Sequence, residues 1–186
     1  MSSNRPQALV IVFDGIEEIE ALTPVDILRR AEIDVTVASV DDQPQVTGRN
    51  QITFAADTAL SLVAADSFDL VILPGGPGVL ELIDNPLLRE ILLVQDKAAK
   101  ELAALCAAPK VLAHHGILDA RKATSHQSVR GDLPQASDSP VVIDGHVTTS
   151  QGLGTAVAFS LALVEKLRDK AAARHVAESI HFKSTA

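Results

Sequence analysis

With 186 residues, 47% of them hydrophobic, the chain can form one compact domain with a full core but not two ordinary domains, so we expect a single domain over residues 1–186. A formal net charge of -8, only 16 Lys and Arg residues and no Trp or Tyr argue against nucleic acid as the main partner. A single cysteine excludes an intrachain disulfide, and the lack of a signal-peptide pattern or of an apolar run of about 20 residues predicts a cytoplasmic protein with no membrane partner.

Apolar runs typical of buried strands alternate with helix patterns along the chain. The runs predict strands at residues 8–13, 35–40, 70–73 and 102–105, and a later hairpin over 140–149 that turns at Asp144-Gly145. The helix patterns cover residues 18–31, 86–100, 155–169 and 171–180, whereas residues 41–51 and 127–139 are predicted to be polar loops. This alternation predicts an α/β sandwich with a flavodoxin-like, mainly parallel sheet and helices on both faces.

Cys106 directly follows the strand predicted at residues 102–105. The small residues Ala107 and Ala108 and a predicted helix come after it. A nucleophile elbow has this construction, because small neighbours tolerate a tight bend and the helix N-terminus offers free N–H groups that favour the thiolate. A free cysteine is otherwise usually a small buried hydrophobe. The local sequence leaves both interpretations open.

A glycine-rich segment, Leu73-Pro74-Gly75-Gly76-Pro77-Gly78, follows the third predicted strand. Glycines at the carboxyl end of a strand let backbone N–H groups approach a ligand, so this segment could form an oxyanion hole. The same glycines could simply make a tight turn. The segment does not match a phosphate-binding loop, because no Gly-Lys-Ser/Thr follows it.

Four carboxylates, Asp14, Glu17, Glu18 and Glu20, lie at the start of the first predicted helix. The first three are expected to be solvated groups that stabilise the helix dipole. Glu20 instead shares a helical stripe with the apolar residues of the helix, so its side chain should point toward the sheet. A carboxylate in that direction must be neutralised or paired, and such groups concentrate at functional sites.

Several short segments, spread over essentially the whole chain, are similar to one known family. They are Ala8-Leu9-Val10-Ile11, Gly15-Ile16-Glu17-Glu18-Ile19-Glu20, Pro24-Val25-Asp26 with Arg29-Arg30-Ala31, Val71-Ile72-Leu73-Pro74-Gly75-Gly76, Ala104-Leu105-Cys106-Ala107-Ala108-Pro109, Thr124-Ser125-His126, and Thr149-Ser150-Gln151-Gly152 with Gly154-Thr155-Ala156. On these segments the chain resembles the ThiJ/PfpI superfamily, and within it the branch of the Parkinson-disease protein deglycase and its bacterial relatives.

The resemblance implies a set of site residues. Cys106 takes the position of the family's reactive cysteine, Glu20 that of the helix carboxylate that hydrogen-bonds its sulfur, and His126 that of a nearby histidine. Arg49 takes that of an arginine that lines the pocket. The backbone amides that line the sulfur pocket fall on Gly75, Gly76 and Ala107.

The chain departs from the family's patterns at three positions, and the departure at Ala107 bears on activity. The protease-like branch has histidine directly after its cysteine and this chain has Ala107, so peptidase activity loses its adjacent base. Ala108 stands where glycine is common and Leu153 where proline is frequent, and neither change touches the thiol. The remaining histidines show no zinc-ligand spacing, so we expect no metal and no other cofactor.

These observations lead to the expectation of a cofactor-independent, cysteine-dependent enzyme of the glyoxalase III or deglycase type, which acts on 2-oxoaldehydes such as methylglyoxal in carbonyl and oxidative stress. Glu20 is expected to stay protonated beside a Cys106 thiolate whose pKa lies below that of a free thiol. The alternative is a redox sensor or stress chaperone that acts through oxidation of Cys106 to sulfinic acid. A third alternative is a family member with vestigial activity, and the resemblance implies a homodimer.

Overall fold

The apolar runs form the strands of a seven-stranded sheet in the computed structural model, which describes residues 5–183. The strands in chain order are β1 (Gln7–Val12), β2 (Asp34–Ser39), β3 (Gln45–Thr47), β4 (Thr53–Ala55), β5 (Thr58–Ala59), β6 (Leu70–Leu73), β7 (Glu101–Leu105), β8 (Val141–Asp144) and β9 (Val147–Ser150). The sheet has the order β5-β2-β1-β6-β7-β9-β8, while β3 and β4 form a separate antiparallel pair. All neighbours in the large sheet are parallel except β8 and β9.

Six α-helices connect or flank these strands. They are α1 (Glu18–Arg30), α2 (Leu60–Val63), α3 (Pro86–Lys97), α4 (Pro109–His114), α5 (Ala156–Leu167) and α6 (Lys170–Ser179), with 3-10 turns at Pro77–Leu80, Gln127–Asp132 and Leu153–Thr155. Side-chain caps mark where two of the longer helices begin. The Asn85 carboxamide oxygen accepts from Leu88 N at 3.0 Å, and an Asp169 carboxylate oxygen accepts from Ala172 N at 2.8 Å.

Helices cover both faces of the sheet, which explains why its central strands are apolar at every position. Helices α1 and α5 pack against each other on one side, and residues of α2 and α3 lie against Leu9 and Val71 on the other. Residues Ala8–Val12 of β1 and all of β6 are therefore buried. The predicted α/β sandwich with a flavodoxin-like, mainly parallel sheet is confirmed.

The predicted strands and long helices are confirmed with ends that shift by no more than three residues. Helix α3 ends at Lys97 rather than at residue 100, because Ala99 takes a left-handed backbone conformation with φ of 52°. The polar loop predicted at 41–51 is wrong in part, since it contains β3, which pairs with β4. Strands of three residues are too short to show an alternating pattern, so the sequence carried no signal for them.

Strand order determines where a site can lie in this fold. After β1 the chain adds β2 and β5 on one side of the sheet, and it then adds β6, β7 and β9 on the other side. The direction in which strands are added therefore reverses between β1 and β6. Open α/β sheets bind ligands outside the carboxyl ends of the strands near such a reversal.

Among residues 5–183 no helix is both long enough and apolar enough to cross a bilayer.

Candidate active site

Cys106 lies at a sharp bend directly after β7, with its backbone in the left-handed region at φ of 61°. That conformation is uncommon for a residue with a side chain, so surrounding contacts must hold it. Cys106 N donates to Ser150 O at 2.9 Å, and Cys106 O accepts from His126 N at 2.7 Å. Ala107 and Ala108 are buried behind the bend, so larger side chains would not fit there. The strand, bend and short helix match the construction of an elbow.

The Cys106 side chain is only partly buried and lines an open cavity of about 500 Å³. This location distinguishes it from a structural cysteine enclosed in the core. Three other residues predicted for the site line the same cavity, namely Glu20, Arg49 and His126. They come from α1, from the turn between β3 and β4, and from the segment after α4, so the fold brings together residues that are far apart in sequence.

Glu20 projects from α1 toward the sheet and is only 2% exposed, as its position on the helical stripe predicts. Gly75 N donates to Glu20 Oε2 at 3.2 Å, and a side-chain hydrogen bond joins Glu20 to Cys106. Burial, with a smaller contribution from the Glu17 carboxylate, raises the pKa of Glu20 to about 7 against the lowering effect of these hydrogen bonds. Glu20 therefore changes charge within the physiological pH range.

Cys106 has a raised pKa, not the lowered one that the elbow pattern predicts. Burial and the adjacent Glu20 carboxylate raise the pKa of the Cys106 thiol to about 12, although hydrogen bonds from the Gly76 and Ala107 amides lower it. The prediction is wrong because burial of the thiol and the negative neighbour outweigh the amide hydrogen bonds and the N-terminus of α4, a helix of only six residues. Between pH 7 and strongly alkaline pH, the pair of acids keeps one shared proton.

Two glycines enclose this pair from opposite sides. A Cβ on Gly75 would lie 2.6 Å from Cys106 Cβ and 2.8 Å from Glu20 Oε2, and one on Gly152 would lie 3.0 Å from Glu20 Oε1. The amides predicted to line the sulfur pocket divide their roles: those of Gly76 and Ala107 hydrogen-bond Cys106, whereas that of Gly75 donates to Glu20. The glycine-rich segment is thus both a tight turn and part of the site.

His126 lies at the edge of the cavity with an exposed ring. Its Nδ1 accepts from Ser128 N at 3.2 Å and lies 2.8 Å from Ser128 Oγ. When the ring is neutral, acceptance at Nδ1 places its proton on Nε2. Among the hydrogen bonds within residues 5–183, none joins the ring to Cys106 or Glu20. The link between His126 and Cys106 is the backbone hydrogen bond.

The expectation that Glu17 and Glu18 are solvated is wrong, since their exposures are 5% and 1%. Glu17 caps α1, where its Oε2 accepts from Glu20 N at 2.8 Å, and it lines the cavity. A carboxylate directly before a helix is a capping signal, so the sequence offered a reason to place it there. Asp14 is exposed as expected, and its Oδ1 accepts from Thr47 N at 2.8 Å.

Glu18 faces away from Cys106, toward the turn that carries Arg49 and Asn50. Burial raises the pKa of its carboxyl, but hydrogen bonds from Asn50 and Ile52 outweigh burial and lower the pKa below its usual value. Glu18 is therefore ionised at neutral pH. Sequence reasoning did not assign a site role to three further cavity residues: Asn50, which lies in a turn without a motif, and Gln151 and Thr155, which belong to a segment used only for the family resemblance.

The structure also bears on metal binding. Within residues 5–183, no group of three or more His, Cys, Asp or Glu side chains is arranged to hold a metal ion. Two histidines outside the cavity are paired with carboxylates: His114 Nε2 lies 3.2 Å from Asp84 Oδ1, and His146 Nε2 lies 2.8 Å from Asp96 Oδ1.

Comparison with known proteins identifies close similarities over most of the chain. The profile of the DJ-1/PfpI family matches residues 6–166. The "Parkinson disease protein 7 homolog" of Danio rerio is 35% identical over 95% of this chain and 97% of its own length. The "Glutathione-independent glyoxalase DJR-1.2" of Caenorhabditis elegans is 34% identical over 90% of this chain and 91% of its own. The crystal structure of Drosophila melanogaster DJ-1beta superposes with a TM-score of 0.93 at 38% identity, covering 96% of this chain and 99% of that one.

Replacing Gly75 by alanine should damage the site, because its Cβ has no space between Cys106 and Glu20. We expect Gly75→Ala to lower the free energy of unfolding by about 1–3 kcal/mol and to slow alkylation of Cys106. Gly154→Ala is the matched control, since Gly154 lines the cavity but a Cβ there meets nothing within 4 Å. Urea denaturation and iodoacetamide kinetics measure both effects; equal behaviour of the two variants would contradict the packing described here.

Proposed function

Because the chain belongs to the DJ-1/PfpI family, we propose that it is a cofactor-independent, cysteine-dependent enzyme of the glyoxalase III or deglycase type. Its substrates are 2-oxoaldehydes such as methylglyoxal. The observation that carries the proposal is the buried Glu20 carboxyl, with its pKa of about 7, hydrogen-bonded to the Cys106 thiol in an open cavity. The name of the Caenorhabditis elegans relative supports the same reaction class.

The proposed reaction begins with addition of Cys106 to the substrate. Cys106 Sγ attacks the aldehyde carbon while the Glu20 carboxylate takes the thiol proton and passes it to the carbonyl oxygen, which gives a hemithioacetal and returns Glu20 to the carboxylate. A raised thiol pKa is compatible with this step, because the base acts as the bond forms. The amides of Gly76 and Ala107, which hydrogen-bond the cysteine, stabilise negative charge that develops beside it.

An internal rearrangement then completes the chemistry without an external oxidant. Glu20 and His126 move a proton from the former aldehyde carbon to the neighbouring carbon through an enediol, so the first carbon is oxidised as the second is reduced. The product is a thioester of a 2-hydroxy acid on Cys106. Water hydrolyses this thioester, releasing lactate from methylglyoxal and regenerating the thiol. In the deglycase form of the proposal, Cys106 Sγ displaces the amine from the hemiaminal of a glycated amine: the C–N bond breaks, the amine leaves with the thiol proton, and the same hemithioacetal results.

A redox role is the second candidate, and the environment of Cys106 favours it specifically. The chain has no second cysteine to capture a sulfenic acid as an intrachain disulfide, so oxidation can continue to sulfinic acid. The Gly76 and Ala107 amides that reach the thiol are donors for sulfinate oxygens. As a sensor or stress chaperone, the protein would consume two peroxide equivalents per Cys106, one to form the sulfenic acid and one to form the sulfinic acid, rather than turn over a substrate.

Association into a homodimer forms part of the proposal. Three exposed apolar side chains, Ile19 and Leu22 on α1 and Ile52 at the end of the neighbouring β3–β4 turn, are 47%, 38% and 53% exposed. Ile52 lies beside α1, because its N–H donates to Glu18 Oε1. A second copy of the chain would cover this apolar surface. One domain over residues 1–186 is proposed as the repeating unit.

Lactate formation from methylglyoxal provides the test of turnover. We expect many turnovers per protein without glutathione or added metal, and complete loss in Cys106→Ser, because no other thiol can replace it. Equal activity in the variant would refute the cysteine mechanism. Stoichiometric oxidation of the thiol by hydrogen peroxide, without turnover of methylglyoxal, would favour the redox candidate instead.

The pH profile should report the acid–base pair. Below pH 7 both groups are protonated and Glu20 cannot accept the thiol proton, so kcat/KM for methylglyoxal should rise with pH through an apparent pKa of about 7. Glu20→Gln keeps the volume and a donor but not the base, and should lower kcat/KM at pH 7.5 about a hundredfold or more. A Glu20→Gln profile like that of the original protein would show that Glu20 is only a hydrogen-bond donor.

Sedimentation velocity tests the homodimer. The unsubstituted protein should sediment as a dimer, and Ile19→Lys should shift it toward monomer by placing a charge in the apolar surface. Val94→Lys is the control, because Val94 is 61% exposed on α3, away from α1. A monomer mass that does not change with concentration would refute the dimer.

A further inference from the structure

Glu18 is a buried carboxylate that takes no part in the proposed chemistry. Its side chain is almost fully enclosed, and an ionised carboxylate in that position is costly unless N–H groups surround it. Three donors do so: Asn50 N at 2.7 Å and Ile52 N at 3.4 Å to Oε1, and Asn50 Nδ2 at 2.9 Å to Oε2. All three belong to one turn between β3 and β4. Glu18 therefore joins that turn to the start of α1.

The turn, residues 48–52, is shaped to fit Glu18 closely. A Cβ on Gly48 would overlap the Glu18 side chain, so only glycine allows the backbone to lie against it. Arg49 N donates to Ile16 O at 2.8 Å, and Gly48 N donates to Ile52 O at 3.0 Å, which closes the turn. The Glu18 carboxylate supplies the only side-chain acceptor among the hydrogen bonds that residues 5–183 make to this turn's backbone.

The turn carries a cationic side chain into the cavity. Arg49 and Asn50 both line the cavity that contains Cys106. Among the ion pairs of residues 5–183, Arg49 has no carboxylate partner within 4.0 Å, so its guanidinium is available to a ligand. A guanidinium at such a position attracts anionic groups and carbonyl oxygens.

We propose that Glu18 is a positioning residue: by holding the turn against α1, it keeps the Arg49 guanidinium at the cavity and so directs anionic groups toward Cys106. Without the carboxylate, the three N–H groups of the turn would lose their acceptor and the turn would move outward to hydrate them. Arg49 would then leave the cavity while Cys106 and Glu20 stayed in place. For substrate turnover this proposal rests on the proposed function, but the placement of Arg49 does not.

Alkylation of Cys106 by two reagents tests the placement without requiring turnover. Iodoacetate is anionic and iodoacetamide is neutral, and the single cysteine means that both report Cys106 alone. The quantity measured is the ratio of the iodoacetate rate to the iodoacetamide rate at low ionic strength. The variants are Arg49→Leu, Glu18→Leu, the milder Glu18→Gln and the double variant Glu18→Leu with Arg49→Leu. Asp14→Asn is the control. The Asp14 carboxylate also accepts a hydrogen bond from the β3–β4 hairpin, but from Thr47 N on β3 and not from the turn that carries Arg49.

We expect Arg49→Leu to lower the ratio roughly threefold to tenfold, as loss of one charge near the thiol predicts. Glu18→Leu should lower it equally, Glu18→Gln less, and the double variant no further than Arg49→Leu alone. Asp14→Asn should keep the original ratio. A Glu18→Leu protein that retains the original ratio overturns the proposal, and so does an Arg49→Leu protein that retains it. If Glu18→Leu does not fold, Glu18→Gln decides: a ratio unchanged from the original overturns the proposal, and a lowered one supports it.

The alkylation ratio tests the role of Glu18 whether or not the protein turns over methylglyoxal. If the protein turns over methylglyoxal, Glu18→Leu should raise KM severalfold and change kcat little, because Glu20 and Cys106 are untouched. If the protein shows no turnover, the proposed function fails while the alkylation ratio still decides the role of Glu18. Sedimentation of each variant establishes that all are compared in the same oligomeric state.

Discussion

The hydrogen bond between the Glu20 carboxyl and the Cys106 thiol is the interaction on which the rest of the site depends. Two acids with one proton between them can be buried together only if the backbone supplies donors on every side. The amides of Gly75, Gly76 and Ala107 do this, and the two adjoining glycines leave no room for a larger residue. The glycine-rich turn and the bend at Cys106 are therefore requirements of the pair.

Topology supplies these donors from distant parts of the chain. The bend at Cys106 follows β7, the Gly75 turn follows β6, and the Gly152 turn follows β9, so three parallel strands end at the same place. Helix α1 brings Glu20 to this edge because it begins just after β1. In a parallel sheet the carboxyl ends of neighbouring strands meet along one edge, and the reversal of strand order leaves a crevice there.

Much of this architecture could be predicted from sequence, because buried parallel strands and amphipathic helices have patterns of their own. Cys106 and Glu20 were predicted from an elbow pattern and a helical stripe, and both line the cavity. The burial of Glu18 could not be predicted, since it depends on a hairpin of three-residue strands that no periodicity marks. The direction of the Cys106 pKa also depends on distances across the fold, which spacing along a chain does not contain.

The left-handed backbone at Cys106 has a consequence for the stability of the protein. A residue with a side chain in that conformation costs roughly 1–2 kcal/mol relative to glycine, so the backbone at position 106 is strained in a way that glycine would not be. The side chain at this bend is therefore present in spite of the backbone, and what it adds is the thiol and its hydrogen bond to Glu20. At this single residue, the stability of the backbone and the chemistry of the side chain are opposed, as they often are where an active site holds a residue under strain.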